Sequence, residues 1–99
     1  MTKQELVSRM QEGQAWIPGK RVKLDFGSEG VILLDGAGNQ VTEENADADT
    51  TIKVSWDDWQ QMAAGQLDGM TAFMTGKIRI EGDMSNAMQL QGVLAKLRS

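Results

Sequence analysis

The 99-residue sequence contains no cysteine and no histidine. Without them there is no disulfide, no thiolate nucleophile, no imidazole base and no Cys/His zinc site, which excludes most of the chemistry that small domains carry. One proline and the absence of low-complexity tracts leave no linker, so the chain reads as a single domain over residues 1–99 with one core. Strong basic character is also missing: ten Lys and Arg stand against fourteen Asp and Glu, a net charge of -4. That is wrong for a protein that gains affinity by neutralising phosphates along a polynucleotide, so no nucleic-acid partner is expected. No apolar run approaches the roughly 20 residues of a membrane span, and the start MTKQELVSRM lacks the apolar centre of a signal peptide. A cytoplasmic protein without stable membrane insertion is expected.

What is present is a pattern of short elements. Thr2 followed by Glu5 is a capping box, and Leu6, Val7 and Met10 share one face of a helix over residues 3–13 that ends near Gly13. Residues 20–26 alternate, with Val22, Leu24 and Phe26 on one side. Val31 to Leu34 and a segment at Val41 follow after Gly-containing turns, which predicts an antiparallel meander. A fourth strand, Thr50 to Ser55, points Ile52 and Val54 inward. Ser55 and Asp58 repeat the capping logic for a helix through Ala64, stopped by Gly65. Asp68 caps a second helix closed by Gly76, Lys77 to Ile80 is a short strand, and Asp83 caps a final helix bearing Met84, Ala87, Met88, Leu90, Val93, Leu94 and Leu97. The order is α-β-β-β-β-α-α-β-α, an α+β domain.

Patterns that look chemical have plainer readings. From Glu29 to Asp58 there are eight acids against one base, Lys53, but the stretch beginning at Asp47 puts Ile52 where a calcium loop needs its glycine and Asp58 where it needs its glutamate. A solvated turn is the better reading. Asp57 and Asp58 are adjacent on a helix and point apart, so they favour the helix dipole and do not form a catalytic pair. Gly36-Ala37-Gly38 lacks the third glycine of a phosphate loop and precedes a strand, which makes it a hairpin turn. The serines have no histidine partner. Trp56 and Trp59 sit among aspartates, not in a basic groove, and so belong to a core or a ligand pocket.

Seven methionines are many for this length, and Met62, Met70, Met74, Met84 and Met88 fall on three successive helices. Methionine fills irregular gaps in any core, but an unbranched, polarisable lining also suits an adaptable apolar site. The surrounding residues favour the site. Leu67-Asp68, Ala72-Phe73-Met74, Gly76-Lys77-Ile78-Arg79-Ile80, Gly82-Asp83-Met84 and Ala87-Met88-Gln89-Leu90-Gln91 resemble the signature half of the sterol-carrier-protein lipid-transfer domain family, over about residues 47–97.

The resemblance implies an α+β domain of about five mainly antiparallel strands with helices packed on one face and an apolar tunnel or cavity between sheet and helices. It implies a non-enzymatic module without cofactor or metal that binds and transfers sterols, fatty acids or fatty acyl-CoA. The ligand-binding candidates are Trp59, Met62, Met70, Phe73, Met74, Met84, Met88 and Leu94 from the helices, with Ile32, Leu34, Ile52, Val54, Ile78 and Ile80 from the sheet. Because sequence does not separate a tunnel wall from a packed interior, no more than half of these are expected to touch a ligand. Three departures stand out: Ser85-Asn86 replaces a frequent Gly and Leu at the tunnel mouth, while Gln66 and Gln89 replace lysines that would contact an acidic head group. The rival reading is an interaction or scaffold protein of the same fold with a filled core, pairing as a homodimer or docking on a lipid-metabolising enzyme.

Overall fold

Thr2 opens the first helix as expected: its side-chain oxygen accepts a hydrogen bond from the Glu5 backbone N–H at 3.2 Å, and α1 runs Lys3–Glu12. The computed structural model describes residues 2–98, and within them the side chains of all but Gln91 and residues 94–98. After α1 come β1 (Arg21–Asp25), a short 3-10 turn, β2 (Val31–Asp35), β3 (Gln40–Thr42) and β4 (Thr50–Val54). Then follow α2 (Trp56–Ala63), α3 (Gly69–Met74), β5 (Ile78–Gly82) and α4 (Met84–Arg98). The order is the one the sequence predicts.

The five strands form one sheet in the order β3-β2-β1-β4-β5. Neighbours β1–β2, β2–β3 and β4–β5 are antiparallel, and only the central β1–β4 pair is parallel. That pair exists because the chain leaves β3 at one edge and must cross β2 and β1 before β4 can dock. The crossing segment is tied down twice. Asn45 accepts a hydrogen bond from Lys23 Nζ at 2.9 Å, and Asp49 exchanges two 2.9 Å bonds with the Arg21 backbone.

Alternation along the strands builds the core on one face. Val22, Leu24, Ile32, Leu34, Val41, Ile52, Val54 and Ile78 share the inner face and join Leu6 and Met10 of α1, Trp59 of α2, Ala72 of α3 and Ala87 and Leu90 of α4 in one apolar cluster. Leu33 stands apart: it lies on the outer face between Lys23 and Thr42, yet is only 2% exposed, on the side that residues 43–49 cross. A run of four apolar residues in β2 therefore reflects burial on both faces, which alternation alone does not anticipate.

The β2–β3 turn is organised by Asp35. Its Oδ1 accepts from the backbone N–H groups of Ala37 (3.0 Å) and Gly38 (2.9 Å) and from Arg21 Nε (3.3 Å). The Gly38 bond holds the carboxyl below its ordinary value of 3.8; burial opposes this, and Arg21 and Gln40 reinforce it. A carboxylate with a depressed folded pKa adds stability that is complete above its unfolded value and is lost as pH falls through its folded one. The melting temperature of the protein should accordingly hold level from neutrality to about pH 5 and fall below about pH 4. Asp35→Asn should lower stability at neutral pH and flatten that acid limb, and thermal melts across pH on both proteins measure the difference.

Candidate functional site

Two helix endings and three caps position the helical side of the molecule. Ser55 accepts from the Asp58 N–H at 3.1 Å to start α2, and Asp68 accepts from the Thr71 N–H at 3.2 Å to start α3. Both helices end in the same motif. Gly65 and Gly76 take the left-handed conformation (φ 78° and 79°), and the residues after them donate back to Gln61 O and Ala72 O at 2.8 Å. These reversals send the chain from α2 into α3 and from α3 into β5.

The third cap, Asp83, anchors α4. Its Oδ1 accepts from Ser85 N (2.9 Å) and Ser85 Oγ (2.7 Å), which lower its pKa, the side-chain bond most. Asp83 also accepts, through its backbone carbonyl, a 2.7 Å bond from Thr50 Oγ1, and Thr50 Oγ1 in turn accepts from Asn86 Nδ2 at 3.2 Å. Asn86 is 3% exposed and Thr50 is fully buried. Asn86, one of the two departures from the family at the tunnel mouth, turns its amide onto the sheet, where β4 offers it a hydroxyl. Thr50→Val should cost about 1–3 kcal/mol by leaving that amide unpaired, and adding Asn86→Leu should recover part of the loss. Urea unfolding of the two single variants and the double variant gives the coupling.

The candidate residues divide sharply by exposure. Ile32, Leu34, Ile52, Val54 and Ile78 are buried in the core; Ile80 and Met62 are half-buried against it. Trp59 is buried with its ring centroid 5.7 Å from that of Phe26, and its indole N–H has no hydrogen-bond partner among the described residues. The remaining helix residues lie open: Met70 is 62% exposed, Phe73 40%, Met74 78%, Met84 46% and Met88 70%. The side chain of Leu94 lies outside those described. An interior lining would cover these methionines; here they lie exposed on α3 and α4, both of which pack on β5. In α3 the small Ala72 is the buried residue, and the large side chains flank it outside.

The SCP-2 sterol transfer family model matches residues 9–95. The chain belongs to that family. Among relatives, a fatty acid-binding protein of Yarrowia lipolytica is 32% identical over 71 residues, 72% of this chain and 51% of its own length. A hydroxysteroid dehydrogenase-like protein 2 of Bos taurus is 34% identical over 76 residues, 76% of this chain and 18% of its own length. The chain thus spans about half of the first relative and under a fifth of the second. The SCP-2 fold is shared with a sterol carrier protein-2 of Aedes aegypti solved in complex with palmitate (TM-score 0.76, 15% identity, covering 96% of this chain and 97% of that one). It is shared also with UbiJ-SCP2, a ubiquinone synthesis protein (TM-score 0.68, 18% identity, 97% and 94% covered). Among the described residues of this SCP-2 domain no helix is long and apolar enough to cross a membrane, and no three acidic side chains gather where they could hold a metal ion.

Proposed function

We propose that this chain binds apolar lipids, namely fatty acids, fatty acyl-CoA or sterol-like molecules, on the face formed by α3, α4 and β5, and passes them on without altering them. The observation that carries the reading is the set of five large apolar side chains, Met70, Phe73, Met74, Met84 and Met88, left exposed on two helices that both pack on β5 of an SCP-2 domain. Physical cost favours an open face in the unliganded protein. A closed dry cavity of about 300 Å³ would cost roughly 7 kcal/mol, most of the 5 to 15 kcal/mol that stabilises a typical domain. Flexible methionines resolve this by lying open until a chain arrives and then repacking on it. The ligand's own burial is ample: fourteen methylenes at about 0.8 kcal/mol each give roughly 11 kcal/mol before ordering costs, against about 8 for a micromolar complex.

Lipid extraction and native mass spectrometry of gently purified protein, with a melting-temperature titration from twelve-carbon fatty acids to sterols, test the reading. A co-purifying lipid or a saturating rise in melting temperature is expected; absence of both across the series sinks it. The same exposed residues support a second reading, an interaction protein that pairs with itself or docks on a lipid-metabolising enzyme. A mass that rises with concentration in light scattering, with no lipid uptake, selects that one.

A further inference from the structure

The register between β4 and β5 sets Lys53 directly opposite Arg79 on the outer face of the sheet, away from the methionines. Like charges facing each other across a ladder repel. A third cation joins them: Lys77, which leaves the α3 reversal just ahead of β5, lines the same open depression of ≈ 320 Å³, which Phe26, Val54 and Asp25 also line. Elsewhere on the sheet the cations are matched with oxygen acceptors. Arg21 bonds Asp35 at 3.3 Å, and Lys23 bonds Asn45 at 2.9 Å. In the depression the matching is incomplete. Lys53 reaches Glu81 at 3.4 Å and has Asp25, its register partner on β1, on its other side, while Lys77 and Arg79 make no ion pair among the described residues. Positive charge is therefore concentrated in a concavity on a chain whose net charge is -4.

An anion shared by the three cations removes the repulsion, and its charge must suit their number. A carboxylate satisfies one cation, whereas a phosphate dianion offers three oxygens and two charges, matching the bidentate fork of Arg79 and two point-charge lysines. We propose that the depression between β4, β5 and the end of β1 is a binding site for a phosphate dianion, carried by a soluble organic phosphate or by the head groups of an anionic bilayer. None of the five exposed side chains Met70, Phe73, Met74, Met84 and Met88 lines the depression, although the sheet-side candidate Val54 does.

Backbone amide NMR of the full chain, titrated with inorganic phosphate, and sedimentation with vesicles of phosphatidylcholine alone or with about a third phosphatidic acid, whose monoester phosphate takes the second charge, test it. Saturating shifts at residues 26–27, 53–55 and 76–79, weakened about tenfold in Lys77→Gln/Arg79→Gln, support a soluble phosphate ligand. Sedimentation with the anionic vesicles alone, lost in the same variant, assigns the phosphate to a bilayer. Both replaced side chains are exposed, so the variant's unchanged melting temperature serves as the folding control, and unchanged fatty-acid binding separates this site from the apolar face. Absence of both responses in the unmodified protein, or responses that persist in the double variant, overturns the proposal.

Discussion

Gly36→Ala is expected to lower the melting temperature by more than about 12 °C, measured by calorimetry or circular dichroism, and to leave little folded protein at elevated temperature. Gly36 is buried at the start of the turn that Asp35 organises, and its backbone is bonded in both directions: its N–H donates to Lys20 O at 2.7 Å and its carbonyl accepts from Gly19 N at 3.0 Å. A methyl group on this Cα would overlap the Ile17 carbonyl and approach Lys20 O to 2.7 Å. Both obstacles are backbone, and the bonds to residues 19 and 20 would have to break before they could give way. Overpacking alone costs about 1–3 kcal/mol, and two strained or broken hydrogen bonds bring the total to roughly 3 kcal/mol or more. In a domain of this size each kcal/mol is worth about 4–8 °C. Gly19→Ala makes an instructive contrast, since at φ 77° it carries backbone strain but has open space for the methyl group; its loss should be smaller.

Met74→Asp/Met88→Asp is expected to weaken fatty-acid binding by at least about a hundredfold while moving the melting temperature by only a few degrees. The two side chains are 78% and 70% exposed, so in the unliganded protein a carboxylate at either position stays in water. Once an acyl chain covers the face the same carboxylate must be desolvated beside hydrocarbon or must exclude the ligand. Either outcome costs several kcal/mol, and about 2.7 kcal/mol is already a hundredfold. Met74→Leu/Met88→Leu keeps the area and loses flexibility; it should bind one chain length well and discriminate more strongly among others. Isothermal titration with a series of fatty acids measures both effects. Equal affinity in the aspartate variant would remove this face from the ligand's path.

The contrast between what could be read from the chain and what could not has a consistent cause. Caps and stops are local chemistry, so Ser55, Asp68 and Asp83 at helix starts and Gly65 and Gly76 at helix ends follow from a few neighbouring residues. The inner-face residues of the strands follow from period-two alternation. The parallel docking of β4 on β1 does not, because nothing within either strand encodes the route of the segment between β3 and β4. Leu33 and the Thr50–Asn86 pair depend on that route and on the placement of α4, with Thr50 and Asn86 36 residues apart, and Asp35 adds to its two local turn bonds one from Arg21, 14 residues away. For the candidate site, periodicity identified the helices that carry methionine but not how much neighbouring structure covers them. In α4 the buried stripe runs through Asn86, Ala87 and Leu90, which rotates Met84 and Met88 outward from an interior that their hydrophobicity alone suggested.

That rotation also sets which sulfurs an oxidant can reach. Met10 has no solvent exposure, whereas Met70, Met74 and Met88 are exposed side chains. Oxidation to the sulfoxide turns an apolar, pliable side chain into a polar and chiral one, and it proceeds where the sulfur is accessible. The chain therefore keeps its core sulfur protected while exposing the methionines of the α3–α4 face. Damage would accumulate on that face first and leave the fold intact, and reduction of the sulfoxides would restore it.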